Sequence, residues 1–359
     1  MQGRRVRFVA PGKVEVQSFE VPPPGAGEAL VQTLYTTISP GTERAHLMAE
    51  ENTVTRDIGY PFQPGYSSVG RVLSVGAGVE ALRAGQLVAS SIPHVSHAIL
   101  AGLEGKGEPP VVGRWVSDLP PQKSFGGSPM VWPLPPELSV DLQKSCSSYC
   151  FSRVGLHGVR EARIELGETV LILGLGPIGL HAAQHARLSG GFPVLAIDPS
   201  PSRRKLAEKL GVDATYANAD VFKASRHPLM AKSGPAVVIE ATGLPQVIPE
   251  AFQLSGRNGR IILLGSTRGL STVNFYTDVH KKGLVVHGVH ASTHPKGDSS
   301  PGRWTNADDD NVILKLICGG RVDAGSLRTH EFSASDAPKA YETVRDSPEA
   351  LAVMLDWTK

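Results

Sequence analysis

The chain has 359 residues, of which 41% are apolar and 19% charged, enough to bury cores for about two domains. Disordered and fibrous proteins are excluded, because the 39 glycines and 28 prolines show no period and stay below the share typical of low-complexity chains. Lys and Arg total 36 against 34 Asp and Glu, and the formal charge of +2 provides no basic face for nucleic acid or acidic lipid. We therefore expect a small-molecule enzyme with no nucleic-acid or membrane partner.

The cysteine count and the N-terminal sequence bear on the compartment. Cys146, Cys150 and Cys318 are too few for a disulfide framework and fit a reducing environment. The chain starts MQGRRVRFVAPG and reaches proline and glycine after three apolar residues, so we expect no secretory signal. The uncharged stretch 169–186 contains several glycines, a proline and two histidines, which favours a buried strand and turn over a membrane span. We expect a cytoplasmic protein.

The first 148 residues are predicted to be mostly β. Short alternating segments such as VRFVA, KVEVQ, ALVQTLYTT and SSVGRVLSVG are separated by turn sequences such as PPPGAG and VGAGVE. Residues 100–130 are rich in glycine and proline and lack sustained periodicity. We expect a long surface loop or lobe there.

From residue 167 onward, apolar runs alternate with helix-compatible segments, the pattern of parallel strands joined by crossover helices. The runs are almost continuously apolar, as strands covered on both faces must be. The pattern therefore predicts an α/β, doubly wound parallel sheet. We expect strands at 169–173, 194–197, 214–217, 237–240, 260–264 and 284–289, and helices at 177–189, 202–210 and 245–254. The stretch 308–359 returns to helix and ends in the apolar LAVMLDW, a strand expected to pack on the N-terminal half.

The segment ETVLILGLGPIGLHAAQ carries the strongest functional signal. Its three glycines stand in G-x-G-x-x-G register between a strand and a helix. The first permits the tight turn, the second lets the backbone approach a pyrophosphate, and the third lets helix pack on strand. The N-terminus of the helix then favours a phosphate. We predict a dinucleotide site at Gly174, Gly176, Pro177, Ile178 and Gly179, the alternative being a glycine-rich turn that binds nothing.

Asp198 bears on the choice of dinucleotide. It closes the next strand 19 positions after Gly179, where a carboxylate would accept hydrogen bonds from the adenosine ribose. A carboxylate there repels the 2′-phosphate of NADP and so favours NAD. Arg203, together with Ser200 and Arg204, could instead receive that phosphate, or could belong to a capped, solvated helix start. We predict NAD and leave NADP open.

These motifs, with VVIEATG, GRIILLG, PGYSSVGRVLSVG and RAGQLVA, resemble the medium-chain dehydrogenase/reductase superfamily, the zinc-type alcohol dehydrogenases and their relatives. The resemblance covers nearly the whole chain. It implies a Rossmann domain inserted in a mostly β, GroES-like substrate domain built from both chain ends. We place the Rossmann domain at 149–291 and the substrate domain at 1–148 and 292–359. The resemblance also implies a homodimer through edge pairing of the strand at 284–289.

The zinc ligands of that superfamily are largely missing. In the zinc enzymes a Cys-Gly-Thr/Ser-Asp turn and a Gly-His-Glu turn supply the first ligands. Here the turns read PGTE at 40–43 and GYS at 65–67, and only Cys150 remains, near the third ligand position. The family's structural zinc uses four cysteines, and this chain has three. We expect no zinc, the alternative being a site rebuilt from His94, His97 and Cys150.

The sequences SPGTER, PGYSSVG, PHVSH and MLDW bring the resemblance closer to zinc-lacking branches. These branches include sugar or cyclitol dehydrogenases and the bacteriochlorophyllide dehydrogenases. The motifs indicate the branch better than they indicate the substrate.

Without zinc, other groups must stabilise the alkoxide-like charge that develops during hydride transfer. Thr42 matches the relay hydroxyl of the alcohol dehydrogenases, which passes a proton between substrate and cofactor ribose, but a role in an ST-turn is equally open. His94 and His97 suit general acid–base work at neutral pH, although either could be structural and His97 could hold His94 in place. Tyr66 replaces a ligand, so its phenol could face the vacated site, or its ring could fill the metal's space. Glu43 is expected to anchor its turn.

The nicotinamide is expected near the carboxyl ends of the parallel strands, where doubly wound sheets bind ligands. Ordinary loop structure is the alternative for any one of these side chains. The candidates are Thr242, Gly243, Gly265 and Ser266, with the region 287–290.

The combined prediction is a zinc-independent, NAD(P)-dependent alcohol dehydrogenase or ketone reductase. Its substrate would be a secondary alcohol of a sugar, cyclitol or other cyclic compound. Two alternatives stay open: an enoyl or quinone reductase acting on activated C=C bonds, and a dinucleotide-binding sensor without catalysis.

Overall fold

The computed structural model describes residues 1–107, 110–125, 129–295, 298–300 and 302–359. The chain divides into two compact units. The first unit comprises Met1–Cys150 and Leu314–Lys359, and the second unit comprises Phe151–Ile313. Within the described ranges, every helix is too short or too polar to cross a membrane.

The N-terminal part of the first unit is mostly β, as predicted. Its elements are β1 (Gln2–Ala10), β2 (Lys13–Glu20), β3 (Ala29–Ile38), α1 (Thr42–Leu47), α2 (Val54–Ile58), β4 (Ser68–Val75), β5 (Leu87–Ser90), β6 (His97–Ala101), β7 (Val111–Val112), β8 (Arg114–Trp115), β9 (Met130–Pro133) and α3 (Val140–Cys146).

The following part of the chain alternates strands and helices. Its elements are α4 (Tyr149–Ala162), β10 (Val170–Leu173), α5 (Pro177–Leu188), β11 (Val194–Ile197), α6 (Pro201–Lys209), β12 (Ala214–Tyr216), α7 (Ala219–Ser225), β13 (Val237–Glu240), α8 (Val247–Leu254), β14 (Arg260–Leu263), β15 (Val285–Gly288) and α9 (Asn306–Cys318). The C-terminal part adds β16 (Arg328–Ser333), α10 (Ala337–Asp346) and β17 (Ala352–Asp356).

The second unit is built on a six-stranded parallel sheet. Its strand order is β12-β11-β10-β13-β14-β15, the order of the dinucleotide-binding fold. All residues of β10, β11 and β13 are buried, which explains their apolar sequences. The predicted α/β doubly wound sheet is confirmed.

The C-terminal strand completes the sheet of the first unit. β17 pairs antiparallel with β3, with Val353 opposite Ile38, and Trp357 Nε1 donates a hydrogen bond to Thr36 Oγ1 over 3.0 Å. The sheet runs β16-β17-β3-β4-β5-β9-β7, and β6 pairs with β3 and β8. The prediction that both chain ends build one domain is confirmed.

The segment 100–130 is not simply a surface loop. It contributes β7, β8 and the start of β9, and the side chains of Val111 and Trp115 are buried in the core of the first unit. Asp118 forms ion pairs with Arg5 and Arg7. Strands of two residues are too short to show alternation, so their sequence lacked periodicity.

The division between the units falls after Cys150 and after Ile313, whereas the sequence places the junctions after residues 148 and 291. The stretch after residue 291 belongs to the second unit because it pairs with α4. Arg153 binds Asp310 with Nη1–Oδ2 at 2.9 Å, and His294 Nε2 lies 3.2 Å from Asp309 Oδ2. Ion pairs between distant segments leave no mark on local periodicity.

Candidate functional site

The glycine turn after β10 is closed on one side and open on the other. Gly174 has φ +90°, and a methyl group there would lie 2.6 Å from Thr242 Cγ2. A methyl group at Gly179 would lie 1.9 Å from the Gly174 carbonyl oxygen, whereas one at Gly176 would meet nothing within 4 Å. Pro177 and Ile178 begin α5, whose N-terminus has no side-chain cap. The turn therefore fits a pyrophosphate approaching at Gly176.

Asp198 lies directly after β11 and is only 4% exposed. Its Oδ2 accepts a hydrogen bond from the Leu175 N–H (2.7 Å), and its Oδ1 accepts one from the Ser200 N–H (2.8 Å). Each carboxylate oxygen has a second lone pair for a ribose hydroxyl. Arg203 Nη1 lies 4.0 Å from Asp198 Oδ2, while Arg204 Nη1 donates to the Asp198 carbonyl oxygen over 2.7 Å.

The predicted nicotinamide residues lie together after β13 and β14. A methyl group at Gly243 would lie 2.7 Å from the Ser266 carbonyl oxygen, and one at Gly265 would lie 2.2 Å from the Gly243 nitrogen. Thr242 also contacts the glycine turn through Gly174. The second unit thus brings all the predicted cofactor residues of this edge, Thr242, Gly243, Gly265 and Ser266, to the carboxyl ends of adjacent strands.

Glu240 organises this edge, and the sequence assigned it no role. Its Oε1 accepts hydrogen bonds from the Thr242 N–H (2.7 Å), the Thr242 hydroxyl and the Gly243 N–H (3.1 Å). Its Oε2 is buried without a hydrogen-bond partner among the described residues. Burial raises the pKa of this carboxyl, although its hydrogen bonds oppose that shift. The sequence feature that could have pointed to Glu240 is an acidic residue at the end of an apolar strand, in VVIEATG.

The first unit contains a buried polar cluster centred on Glu43 in α1. Glu43 Oε2 accepts hydrogen bonds from His94 Nε2 (3.0 Å) and from the Tyr341 hydroxyl of α10, while Oε1 accepts one from the Ser39 N–H (3.0 Å). Glu43 and His94 are completely buried. Glu43 therefore anchors its turn, and Tyr341 was missed because an aromatic residue within a helix resembles any core residue. We call Thr42, Glu43, Tyr66, His94 and Tyr341 the Glu43 cluster.

The phenol of Tyr66 in this cluster keeps its proton at neutral pH. Burial, reinforced by the Glu43 carboxylate, raises the pKa of its phenol far above the ordinary value, and hydrogen bonds with the Ser39 and Thr42 side chains oppose the shift only in part. The ring packs edge-on against Phe125 at a centroid distance of 5.3 Å. At neutral pH Tyr66 is a hydrogen-bond donor and not a base.

The two predicted histidines occupy different surroundings. His94 packs on Gly65, whose φ is +96° and whose position leaves no room for a methyl group. His97 begins β6, and its Nδ1 lies 3.0 Å from Ser96 Oγ. Burial lowers the pKa of His97, and the N-terminal ammonium lowers it further. Within the described ranges, His97 forms no hydrogen bond with the Glu43 cluster.

The residues of the first unit do not fit a catalytic zinc. Cys150 Sγ lies 3.0 Å from the Tyr66 carbonyl oxygen, to which it donates, and His94 Nε2 is bound to Glu43. Among the described residues of this unit, no three His, Cys, Asp or Glu side chains bring ligand atoms together. The alternative site from His94, His97 and Cys150 is not assembled.

Comparisons with known proteins agree with this architecture. Residues 177–305 match the model of the family described as zinc-binding dehydrogenase. The erythritol/L-threitol dehydrogenase of Mycolicibacterium smegmatis is 31% identical over an alignment covering 56% of this chain and 52% of that protein. An alcohol dehydrogenase of Cupriavidus necator is 27% identical, with 93% of each chain covered. The predicted resemblance to the medium-chain dehydrogenase/reductase superfamily is confirmed by these matches.

The same fold is also found in solved structures. A protein of Sinorhizobium meliloti 1021, solved with bound NADP, superposes with a TM-score of 0.76 at 20% identity, covering 99% of each chain. The matches support an NAD(P)-dependent oxidoreductase. A nicotinamide dinucleotide fits the residues of the second unit, because the turn is open at Gly176 and a carboxylate follows β11.

Proposed function

We propose that this protein is a zinc-independent alcohol dehydrogenase acting on a secondary alcohol of a sugar, cyclitol or other cyclic compound. The observation that carries the proposal is the Glu43 cluster, which holds hydroxyl donors and a buried carboxylate where the zinc enzymes of the superfamily have ligands. The polyol named in the M. smegmatis relative supports an alcohol substrate with several hydroxyl groups.

The bound nicotinamide would accept the hydride from the carbinol carbon, or return it to a carbonyl carbon. The alcohol's hydroxyl proton must leave in the same step. Thr42 is the proposed relay: its hydroxyl would accept that proton and pass its own proton to the ribose of the bound cofactor and from there to solvent, and its hydrogen bond with Tyr66 would keep it beside the substrate oxygen. Tyr66 keeps its own proton at neutral pH, so it would donate a hydrogen bond to the substrate oxygen while negative charge develops there.

Glu43, His94 and Tyr341 are proposed as positioning residues. Their mutual hydrogen bonds hold the turn that carries Thr42, and full burial separates Glu43 and His94 from solvent. His94 donates through Nε2 to Glu43, and its Nδ1 is buried beside Gly65 without a hydrogen-bond partner among the described residues, so His94 is not proposed as the general base. This differs from the direct acid–base role predicted for His94 from its sequence position.

The proposed cofactor is NAD. Asp198 would accept hydrogen bonds from the adenosine ribose and repel a 2′-phosphate. We expect Asp198→Asn to fold with reduced stability, because the amide oxygen can accept only one of the two backbone hydrogen bonds that the carboxylate accepts. The ratio of kcat/KM with NAD to kcat/KM with NADP should fall at least about 10-fold, since neutralisation removes the repulsion. An unchanged ratio would contradict the proposed role.

The deciding experiment is a substrate panel with purified protein dialysed against a chelator. Polyols and cyclitols are offered with NAD, and enones are offered with NADPH, while absorbance of the reduced nicotinamide is followed. The proposal expects oxidation confined to the first set and undiminished after metal removal. Enone reduction alone would identify a C=C reductase, and cofactor binding without turnover on the whole panel would identify a sensor. Activity lost with the metal and restored by zinc would overturn zinc independence.

A further inference from the structure

Two of the three cysteines lie side by side in the first unit, and neither has a role in the function proposed above. Cys146 is the last residue of α3, and Cys318 is the last residue of α9, 172 positions later. Their Sγ atoms are 3.8 Å apart, a distance at which one thiol can donate a hydrogen bond to the other. The two sulfur atoms are therefore in contact.

Contacts beside this pair hold α3 against the chain that follows α9. A methyl group at Gly325 would lie 3.0 Å from Ser145 Oγ, directly before Cys146. Arg328 Nη2 donates a hydrogen bond to Asp141 Oδ1 over 2.6 Å, which ties the start of α3 to β16. The contact between the thiols is thus part of a packed surface that other residues fix in place.

The two thiols differ in exposure and in acidity. Cys146 is completely buried, whereas Cys318 is partly exposed. The hydrogen bond from Cys146 lowers the pKa of the Cys318 thiol, although burial opposes that shift. The same hydrogen bond, together with burial, raises the pKa of the Cys146 thiol. Cys318 is thus the thiol that an oxidant from solvent can reach, and it has the larger share of reactive thiolate.

The third cysteine has a different partner. The Cys150 thiol donates a hydrogen bond to the Tyr66 carbonyl oxygen over 3.0 Å and is completely buried. Cys146 is therefore the cysteine placed to react with an oxidised Cys318.

We propose that Cys146 and Cys318 form a peroxide-sensitive site at which oxidation makes a disulfide bond. A disulfide bond is about 2.05 Å long, so the two sulfur atoms must approach each other by roughly 1.8 Å. Each cysteine ends its helix, and Gly319 and Gly320 follow Cys318, so a rotation about the Cα–Cβ bonds with a small shift of the helix ends allows this approach. The bond would tie α3 to α9 and close a loop that contains the whole second unit.

The reaction balances with a peroxide as the oxidant. The Cys318 thiolate attacks one peroxide oxygen, the O–O bond breaks and hydroxide leaves, so the Cys318 sulfur becomes a sulfenic acid. The Cys146 sulfur then attacks the Cys318 sulfur, and the S–S bond forms as the S–O bond breaks and a second hydroxide leaves. The two thiol protons convert both hydroxides to water. A dithiol reductant returns both sulfur atoms to thiols.

The experiment treats the full-length protein with hydrogen peroxide and then counts free thiols in denaturant. We expect the wild type to keep one of its three thiols. Peptide mapping by mass spectrometry should find one linked pair of peptides, containing Cys146 and Cys318. Dithiothreitol should restore all three thiols.

Three variants separate the roles of the cysteines. Cys146→Ser should form no disulfide, and its Cys318 should be labelled by dimedone, which traps sulfenic acids. Cys318→Ser should keep both of its thiols and take up no dimedone, because Cys146 is buried. Cys150→Ala is the matched control and should form the disulfide like the wild type. If Cys146→Ser fails to fold, the wild-type peptide map and Cys318→Ser, which changes the partly exposed partner, still decide.

Four results would overturn the proposal. A wild type that keeps all three thiols in peroxide would show that the pair is unreactive. A linkage that includes Cys150, or one between two chains, would place the disulfide elsewhere. Dimedone on Cys146 of the Cys318→Ser variant would reverse the assigned order of attack. None of these readouts depends on turnover, so they leave the proposed dehydrogenase activity to its own test.

Discussion

Glu43 shows how much the meaning of a single residue depends on partners far away in the sequence. The sequence singles out Thr42, Tyr66 and His94 one at a time, and the structure brings all three into the same buried cluster. Glu43 joins them, and Tyr341 supplies a hydroxyl from 298 positions away. His97, predicted on the same grounds as His94, forms no hydrogen bond with this cluster among the described residues. Residue type and spacing predicted candidates, but only packing decided which of them meet.

Removing the Tyr66 hydroxyl tests whether this residue donates a hydrogen bond or only fills space. Tyr66→Phe keeps the ring and its contact with Phe125, so stability should change little. We expect kcat to fall about 100-fold with KM nearly unchanged, because a donor to the developing negative charge is lost. Steady-state kinetics with the best alcohol of the panel measures kcat and KM, and thermal unfolding measures the stability of the variant.

The matched control for that experiment is Thr42→Ser, which retains the relay hydroxyl and should keep kcat within a few-fold. A Tyr66→Phe enzyme with wild-type kcat would mean that the aromatic ring merely occupies the space of the absent metal.

At the scale of elements, the β10–α5 turn is where sequence and structure agree most closely. A G-x-G-x-x-G sequence after an apolar strand predicts the turn, and each glycine has a separate physical reason. Gly174 needs its positive φ, Gly179 needs contact with the Gly174 carbonyl, and Gly176 keeps its outer side open. These are contacts within six residues, so local sequence suffices to predict them. The two-residue strands β7 and β8 show the reverse, because they exist only through pairing with distant strands.

The different roles of two glycines in this turn predict different consequences of the same substitution. Gly179→Ala should destabilise the protein by about 1–3 kcal/mol, because its methyl group collides with a carbonyl oxygen. Gly176→Ala should change stability by less than about 0.5 kcal/mol, since φ is −68° and the space is empty. The Kd of the Gly176→Ala variant for NAD should nonetheless rise at least 10-fold, because the methyl group blocks the approach of the pyrophosphate. Thermal unfolding and cofactor titration distinguish the two, and wild-type NAD affinity in Gly176→Ala would contradict the assigned site.

At the scale of the whole molecule, buried histidines make stability depend on pH. His181 on α5 is fully buried, and neither ring nitrogen has a hydrogen-bond partner among the described residues. Burial lowers the pKa of His181 to about 3, and it lowers that of the neighbouring His185 to about 4. Both histidines stay neutral in the folded protein at pH values where the unfolded chain binds protons.

The sign of the effect follows from this difference in proton binding. Unfolded histidine has a pKa of about 6.5, so below that pH the unfolded state binds more protons and the free energy of unfolding falls. We expect the loss due to His181 to reach about 3 kcal/mol at pH 4. His181→Leu should flatten the decline between pH 6.5 and 4, whereas His280→Leu, at an exposed position, should leave it unchanged. Denaturant titrations across this range measure the slope, and identical slopes in both variants would refute the assignment.

The outer strand of the parallel sheet bears on assembly. β15 is an edge strand, and Val285 and Val286 are 49% and 40% exposed. An exposed apolar edge of this kind is suited to pair with another chain. We expect a homodimer in sedimentation experiments at micromolar concentration and a monomer after Val286→Lys. A wild-type monomer would contradict the predicted edge pairing.

The sequence by itself determined the α/β class, the parallel strands and the dinucleotide turn, because apolar periodicity and glycine conformation act over a few neighbouring residues. The tertiary structure alone decided the Glu43 cluster, the pairing of β17 with β3, and the contact between Cys146 and Cys318. Each of these joins segments separated by many positions. Hydrogen bonds and ion pairs form wherever folding brings donors and acceptors together, and their partners leave no periodic trace along the chain.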